Sequence, residues 1–156
     1  MQRRFPWTVV ACVYAFVILY ACAGFAEQGP SSAERILLDS VNAERKAQGI
    51  PPLAWDDALA LAARSHAAEM ARHNAVAHVL PGEPSLPSRA TRAGAKFAWL
   101  SENVVSAGNV DNAQALFIKS PAHRANILDP DMDRIGIGVA QRGGQVFVVE
   151  DFSQGK

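Results

Sequence analysis

The chain has 156 residues with 15 basic and 15 acidic side chains, so its formal net charge is zero. Arg3 and Arg4 precede a long apolar run, and removing them leaves 13 basic against 15 acidic residues from Glu27 onward, a net charge of −2. This part of the chain contains no run of Lys and Arg, which excludes nucleic acid as a partner. About 130 residues remain there, enough for one domain to bury roughly two thirds of its unfolded surface.

The N-terminal segment has the three-part layout of a secretory signal. A basic start is followed by the apolar run WTVVACVYAFVILY and by the small residues ACAGFA. Residues 1–26 are therefore predicted to be a signal peptide, cleaved after Ala23 or Ala26, and the mature protein to be secreted or extracytoplasmic, in the periplasm or cell envelope. Two alternatives remain open: lipidation of Cys22 within LYAC, and retention of the segment as a membrane anchor.

Residues 27–156 are expected to form a single domain. Cys12 and Cys22, the two cysteines of the chain, both precede it. Its fold must therefore depend on its core, because no disulfide bond can form within it.

The first two helices of this domain are marked by their caps. A serine, Ser31 or Ser32, begins the first helix, and Gly49 ends it. Three apolar residues are expected to share its buried face: Ile36, Leu37 and Val41. Asp56 caps the second helix, which runs to about His73.

The second helix has a stripe at helical spacing that is expected to face the core. Its members are Leu59, Ala63, His66 and Met70. Because His66 lies on this apolar stripe, we interpret it as a neutral core histidine satisfied by one hydrogen bond rather than as a ligand.

An irregular segment over 74–87 separates these helices from the rest of the domain, and it contains His78. Binding residues gather on loops that a rigid scaffold holds, so His78 is a candidate site residue. A short helix over 88–93 and a strand over 99–105 follow, and the strand carries Glu102. A buried, unpaired carboxylate is costly, so Glu102 must have a partner: a backbone loop, a cation such as Arg124, or a metal or ligand.

A further helix over 111–119 leads into SPAHRANIL, which spans 120–128. Ser120 is a strong N-cap and Pro121 fits the first helical position. His123 then falls in the first turn, where the helix dipole favours the neutral imidazole, which can act as a ligand or a base. The alternative is that His123 only caps and solvates a short helix.

The C-terminal part is predicted to be a β-hairpin over 135–152, with Gly143 and Gly144 in its turn. Glu150 and Asp151, near its end, are interpreted as solvated charges on a strand edge. A contribution of these acids to a site is the alternative.

Several stretches in this order resemble the bacterial branch of the CAP superfamily, which also contains cysteine-rich secretory proteins, insect venom antigen 5 and plant pathogenesis-related proteins. They are NAERKAQGIPPLAWDDALALAARSHAAEMA, His78, SENVV, SPAHRANIL, IGIGVA and VFVVEDF. The resemblance covers nearly all of 33–153. It implies an α+β fold, a three-layer α/β/α sandwich around a central, mostly antiparallel sheet.

The resemblance also implies a cleft formed by His78, Glu102 and His123 and supported by Arg124 and Asn126. In many members of the superfamily the two histidines hold a divalent metal, and zinc suits two imidazole donors. The two histidines of this chain are therefore expected to be the metal ligands.

This chain departs from the superfamily pattern at three places. Phe117 stands where bacterial members often have tryptophan, and Ala122 stands where glycine is usual. The second acidic residue of many eukaryotic members has no clear counterpart here; Gln114 is the nearest polar side chain and Asp151 a more remote one. The expected site therefore consists of the two histidines, Glu102 and water.

The favoured hypothesis for function is an exported, non-catalytic binding module that takes a metal ion and a lipid, cell-envelope or protein ligand. The alternative is a metal-dependent hydrolase or peptidase in which Glu102 serves as general base for a bound water. No serine elbow, H-E-x-x-H helix or cysteine in residues 27–156 supports such an enzyme. In a third hypothesis the cleft residues only brace loops.

Overall fold

The computed structural model describes residues 29–155, and the predicted signal segment lies outside the described residues. Within this range the elements are α1 (Ser32–Ala47), β1 (Ala54–Trp55), α2 (Asp57–His73), α3 (Leu86–Ala93), β2 (Trp99–Ala107), α4 (Val110–Lys119), α5 (Pro121–Ile127), β3 (Arg134–Arg142) and β4 (Gln145–Gln154). No helix within 29–155 combines the length and the apolar character that crossing a bilayer requires.

The four strands form one sheet in the order β1-β3-β4-β2. The β1–β3 pair is parallel, whereas β3–β4 and β2–β4 are antiparallel. Helix α2 packs on one face of the sheet, and α1, α4 and α5 contribute to the core on the other. The predicted α+β sandwich with a mostly antiparallel sheet is therefore confirmed.

The predicted helix caps are present. The Ser31 hydroxyl accepts from the Glu34 N–H at 3.4 Å, and the Glu34 carboxylate accepts from the Ser31 N–H at 2.8 Å, which completes a capping box. The Asp56 carboxylate accepts from the Leu59 N–H at 2.9 Å and so caps α2. Local side-chain chemistry thus sets where these helices begin.

Three details of the predicted elements were wrong. Ile36 is 46% exposed, and Leu38 lies in the core instead; since each helical residue advances by about 100°, Ile36 falls on the side of α1 opposite Val41. Helix α3 begins at Leu86, two residues earlier than expected, because Pro87 is tolerated in a first helical turn. The two-residue strand β1 was not predicted.

Two glycines of β3 allow α2 to lie directly against the sheet. A Cβ atom on Gly136 would lie 2.1 Å from the backbone nitrogen of Ala60, and one on Gly138 would lie 2.2 Å from the carbonyl carbon of Ala63. Such distances are far below van der Waals contact, so only glycine fits at either position. This close approach brings the side chains of α2 over the same sheet face as Glu102 and Asp151.

A buried arginine of α1, Arg45, holds the chain segments that follow α1 and α5. The Arg45 guanidinium is 1% exposed and donates to the carbonyls of Pro51, Ile127, Asp129 and Met132 at 2.8–3.0 Å. These bonds connect α1 to the end of α5 and to the turn before β3. They therefore fix the position of α5, the helix that carries His123.

Candidate functional site

Glu102 lies at the centre of the candidate site. Its side chain is 3% exposed, one carboxylate oxygen accepts from His78 Nδ1 at 2.8 Å, and the other accepts from the Arg89 guanidinium. The expectation that Glu102 has a partner is thus correct, although the cation is Arg89 of α3 and not Arg124. Each carboxylate oxygen of Glu102 thus has a partner on a different part of the chain.

Arg89 is the site residue that the sequence interpretation missed. Besides its ion pair with Glu102, it donates to the carbonyls of His78 at 3.1 Å and Pro84 at 3.0 Å. A buried arginine in this position therefore fixes both the carboxylate and the loop that carries the histidine. The one signal in the sequence was the place of Arg89 in a short helix, beside Ala90. The structure shows that both residues face inward and are buried.

His78 presents one ring nitrogen outward. Its side chain is 62% exposed, while Nδ1 is held by the Glu102 carboxylate. A carboxylate accepts hydrogen bonds only, so Nδ1 carries a proton, and in the neutral form of the ring Nε2 then has a free lone pair. This is the arrangement in which a carboxylate orients a metal-binding histidine.

His123 lies in the first turn of α5, as expected. Its backbone N–H donates to the Ser120 hydroxyl at 3.5 Å, and its ring meets Phe117 edge to face with centroids 5.3 Å apart. Burial lowers the pKa of His123, and the nearby His78 lowers it further. The ring is therefore kept neutral near pH 7, and the two imidazoles are close enough that a positive charge on one disfavours a positive charge on the other.

Amides attach α5 to the outer strand of the sheet beside Glu102. The Asn103 amide donates to the His123 carbonyl at 3.1 Å, and the Asn126 amide donates to the Asn103 side-chain oxygen at 2.9 Å and to the Glu102 carbonyl at 3.3 Å. The Asn126 side chain thus bonds to the two strand residues beside the candidate site. Arg124 does not contact the candidate site. Within residues 29–155 its side chain forms no hydrogen bond or ion pair, and it lines an open surface pocket with Lys119 and Asp129.

His66 is fully buried, which agrees with its interpretation as a core residue. It makes two hydrogen bonds rather than the one expected: Nδ1 with the Glu83 carboxylate at 2.7 Å and Nε2 with the Ala77 carbonyl at 2.9 Å. The ring is thus fixed between the Glu83 side chain and the Ala77 backbone. This loop carboxylate is consequently committed to His66 and not to the cleft.

The interpretation of Glu150 and Asp151 as edge charges was wrong. Both are fully buried, because β4 is a central strand between β3 and β2. Burial raises the pKa of Glu150 to about 8, against the opposing effect of the Asn103 hydrogen bond. Burial and then the charge of Glu102 raise the pKa of Asp151 well above its ordinary value, while Arg89 acts in the opposite direction.

The set of donor side chains around Glu102 is small. Within the described range of 29–155, no three His, Cys, Asp or Glu side chains are arranged to hold a metal ion together. The histidines at 78 and 123 are the available nitrogen donors, and Glu102 is occupied. A divalent metal here would need water or a bound ligand to complete its coordination.

Residues 38–152 match the family described as "CAP: Cysteine-rich secretory protein family". The chain belongs to this family. CAP membership confirms the resemblance seen in the sequence, and bacterial relatives are among the matches. The CAP domain of this chain has no cysteine, in contrast to the family's name.

Two bacterial relatives and one further solved structure of the same fold show how far the similarity extends. The protein YkwD of Bacillus subtilis (strain 168) is 29% identical over 119 residues, which cover 76% of this chain and 46% of YkwD. An extracellular protein containing a SCP domain from Bacillus anthracis str. Ames superposes with a TM-score of 0.70 at 26% identity, over 81% of this chain and 45% of its own. An outer surface protein from Borrelia burgdorferi superposes with a TM-score of 0.74 at 20% identity, over 83% of this chain and 97% of its own. The chain thus spans about half the length of its Bacillus relatives.

Proposed function

We propose that this CAP protein is an exported binding module whose cleft takes a divalent metal ion, zinc being the best fit, through His78 and His123. The observation that carries the proposal is the state of His78: Glu102 holds its Nδ1, while the ring stays exposed and Nε2 open. His123 supports it, because its lowered pKa keeps its ring neutral. Imidazole nitrogens suit zinc, and water or an envelope ligand would fill the remaining positions.

Export is part of the proposal. The apolar N-terminal run of the sequence supports it, and the similar protein of B. anthracis is described as extracellular. We place the protein outside the cytoplasm, in the cell envelope or beyond it.

Calorimetry with zinc chloride at pH 7 tests the metal site. Wild type is expected to bind one zinc ion, and His78→Ala and His123→Ala should each weaken binding at least about tenfold, because each removes one of two protein donors. His73→Ala is the matched control, since this exposed histidine of α2 lies beside Glu69 and Arg72. Wild-type affinity in His123→Ala would overturn the proposal.

A metal-dependent hydrolase using the same cleft is less well supported. A general base must reach a water molecule, whereas Glu102 is buried and both of its oxygens are engaged by His78 and Arg89. A panel of peptide, ester and cell-wall substrates decides the matter. Turnover by wild type that Glu102→Gln abolishes would establish catalysis.

A lipid is the second ligand that a specific observation favours. An open groove of about 950 Å³ lies between α1 and α4, lined by Ala43, Ala115, Leu116 and Ile118 among others, and Leu116 is 44% exposed. An acyl chain would bury this apolar surface. Mass spectrometry of lipids that co-purify with wild type should detect a fatty acyl chain, and Leu116→Glu should lose it. Leu61→Glu, the same change at an exposed leucine of α2, is the control; equal loss in both variants would contradict the groove.

A further inference from the structure

Asp151 shares a sheet face with Glu102 but is not used by any interaction described so far. The register of β2 and β4 places the two residues directly opposite each other. Opposite residues of an antiparallel pair point to the same face, with Cβ atoms about 5 Å apart. The two carboxyl groups therefore lie side by side beneath α2.

The charges around this pair do not balance if both acids are ionised. Arg89 is the arginine that pairs with Glu102, and His66 Nε2 lies 3.8 Å from the same carboxylate, although His66 is already paired with Glu83. Asp151 is fully buried, and within residues 29–155 the Glu102 carboxyl beside it is the one side chain within hydrogen-bond reach of its otherwise unpartnered oxygens. A second negative charge here would be desolvated and repelled by Glu102, so Asp151 carries a proton.

We infer that Asp151 is a positioning residue of the cleft: its protonated carboxyl donates to Glu102 and so helps to fix the imidazole of His78. Each carboxylate oxygen of Glu102 has two lone pairs, so Glu102 can accept from Asp151 while it also accepts from Arg89 and His78. Three donors from three different elements leave the carboxylate a single orientation. That orientation keeps the proton on His78 Nδ1 and leaves Nε2 open.

The role inferred for Asp151 rests on the proposed function, because it concerns the orientation of His78 as a metal ligand. Its test does not require a bound metal. The tautomer of His78 is read in the metal-free protein from two-bond ¹H–¹⁵N NMR spectra of ¹⁵N-histidine-labelled samples. Asp151→Asn keeps a donor of similar size, whereas Asp151→Val removes the donor and suits a buried strand. Val149→Ala is the control, because Val149 is buried on the same strand and the same sheet face but lies opposite Val104 and not opposite Glu102.

Wild type, Asp151→Asn and Val149→Ala should show His78 protonated at Nδ1, and Asp151→Val should show a mixture of both tautomers. Zinc affinity should fall about tenfold in Asp151→Val alone, the range seen when residues behind a metal-binding histidine are lost. A folded Asp151→Val protein with the wild-type His78 spectrum would overturn the inference, as would the same change in Val149→Ala. If wild type binds no zinc, the proposed metal site fails while the tautomer still decides the role of Asp151.

Discussion

Replacing Glu150 by glutamine should make the protein more stable at neutral and alkaline pH. Burial raises the pKa of Glu150 from 4.5 to about 8, so the folded state holds a proton that the unfolded chain releases between these values. The folded state thus binds more protons, and the free energy of unfolding must fall as the pH rises from 4.5 to 8. At about 1.4 kcal/mol per pKa unit, the loss is on the order of 4 kcal/mol.

Glutamine cannot ionise, yet its side-chain oxygen can still accept the hydrogen bond that Asn103 gives to Glu150 at 3.1 Å. Urea denaturation at pH 5, 6.5 and 8, followed by tryptophan fluorescence, measures the effect. The stability difference between Glu150→Gln and wild type should widen by several kcal/mol over this range. If the free energy of unfolding of the variant still falls with pH over this range, we attribute the fall to Asp151, whose pKa is also raised.

Asp39→Asn is the control for this experiment, because it makes the same carboxylate-to-amide change at an exposed position of α1. It should follow wild type at every pH. If Glu150→Gln and wild type lost stability in parallel from pH 5 to 8, Glu150 would be ionised in the folded protein and its assignment as a neutral acid would be wrong.

Three further predictions concern other parts of the molecule. Arg45→Met should lower the free energy of unfolding in urea by about 3 kcal/mol or more, because it leaves several buried carbonyls without a donor; a loss below about 1 kcal/mol would contradict this. Gly138→Ala should cost about 3 kcal/mol through its clash with α2, whereas Gly108→Ala, whose added Cβ meets nothing closer than 3.8 Å, should be nearly neutral in the same assay. By NMR titration, the pKa of His123 should lie below 6.5 and should rise in His78→Ala. Because this pKa is lower in the folded state than in the unfolded chain, the free energy of unfolding should decrease as the pH falls through 6.5. An unshifted midpoint in both proteins would refute the electrostatic link between the rings.

The helices of this fold could be predicted because their signals are local. Ser31, Asp56 and Ser120 each cap a helix through a bond to a residue three positions ahead. The two glycines of IGIGVA are equally visible in the sequence, and they are the positions at which β3 meets α2.

The errors concern relations between residues far apart in the chain. Whether Glu150 lies at an edge depends on strand order, which places β2 outside β4 and which no local pattern of β4 contains. The choice of Arg89 over Arg124 as the partner of Glu102 depends on how α3 folds back across the sheet. Strand β1 is only two residues long, too short to show any periodicity.

The bond from Asn126 to the Glu102 carbonyl has a consequence for solubility. Strand β2 is one of the two edge strands, and an uncovered edge strand can pair with another chain and start an aggregate. Because Asn126 of α5 bonds to this backbone oxygen, α5 covers the middle of the β2 edge, next to the candidate site. Loosening α5 would therefore damage the cleft and at the same time open a route to self-association.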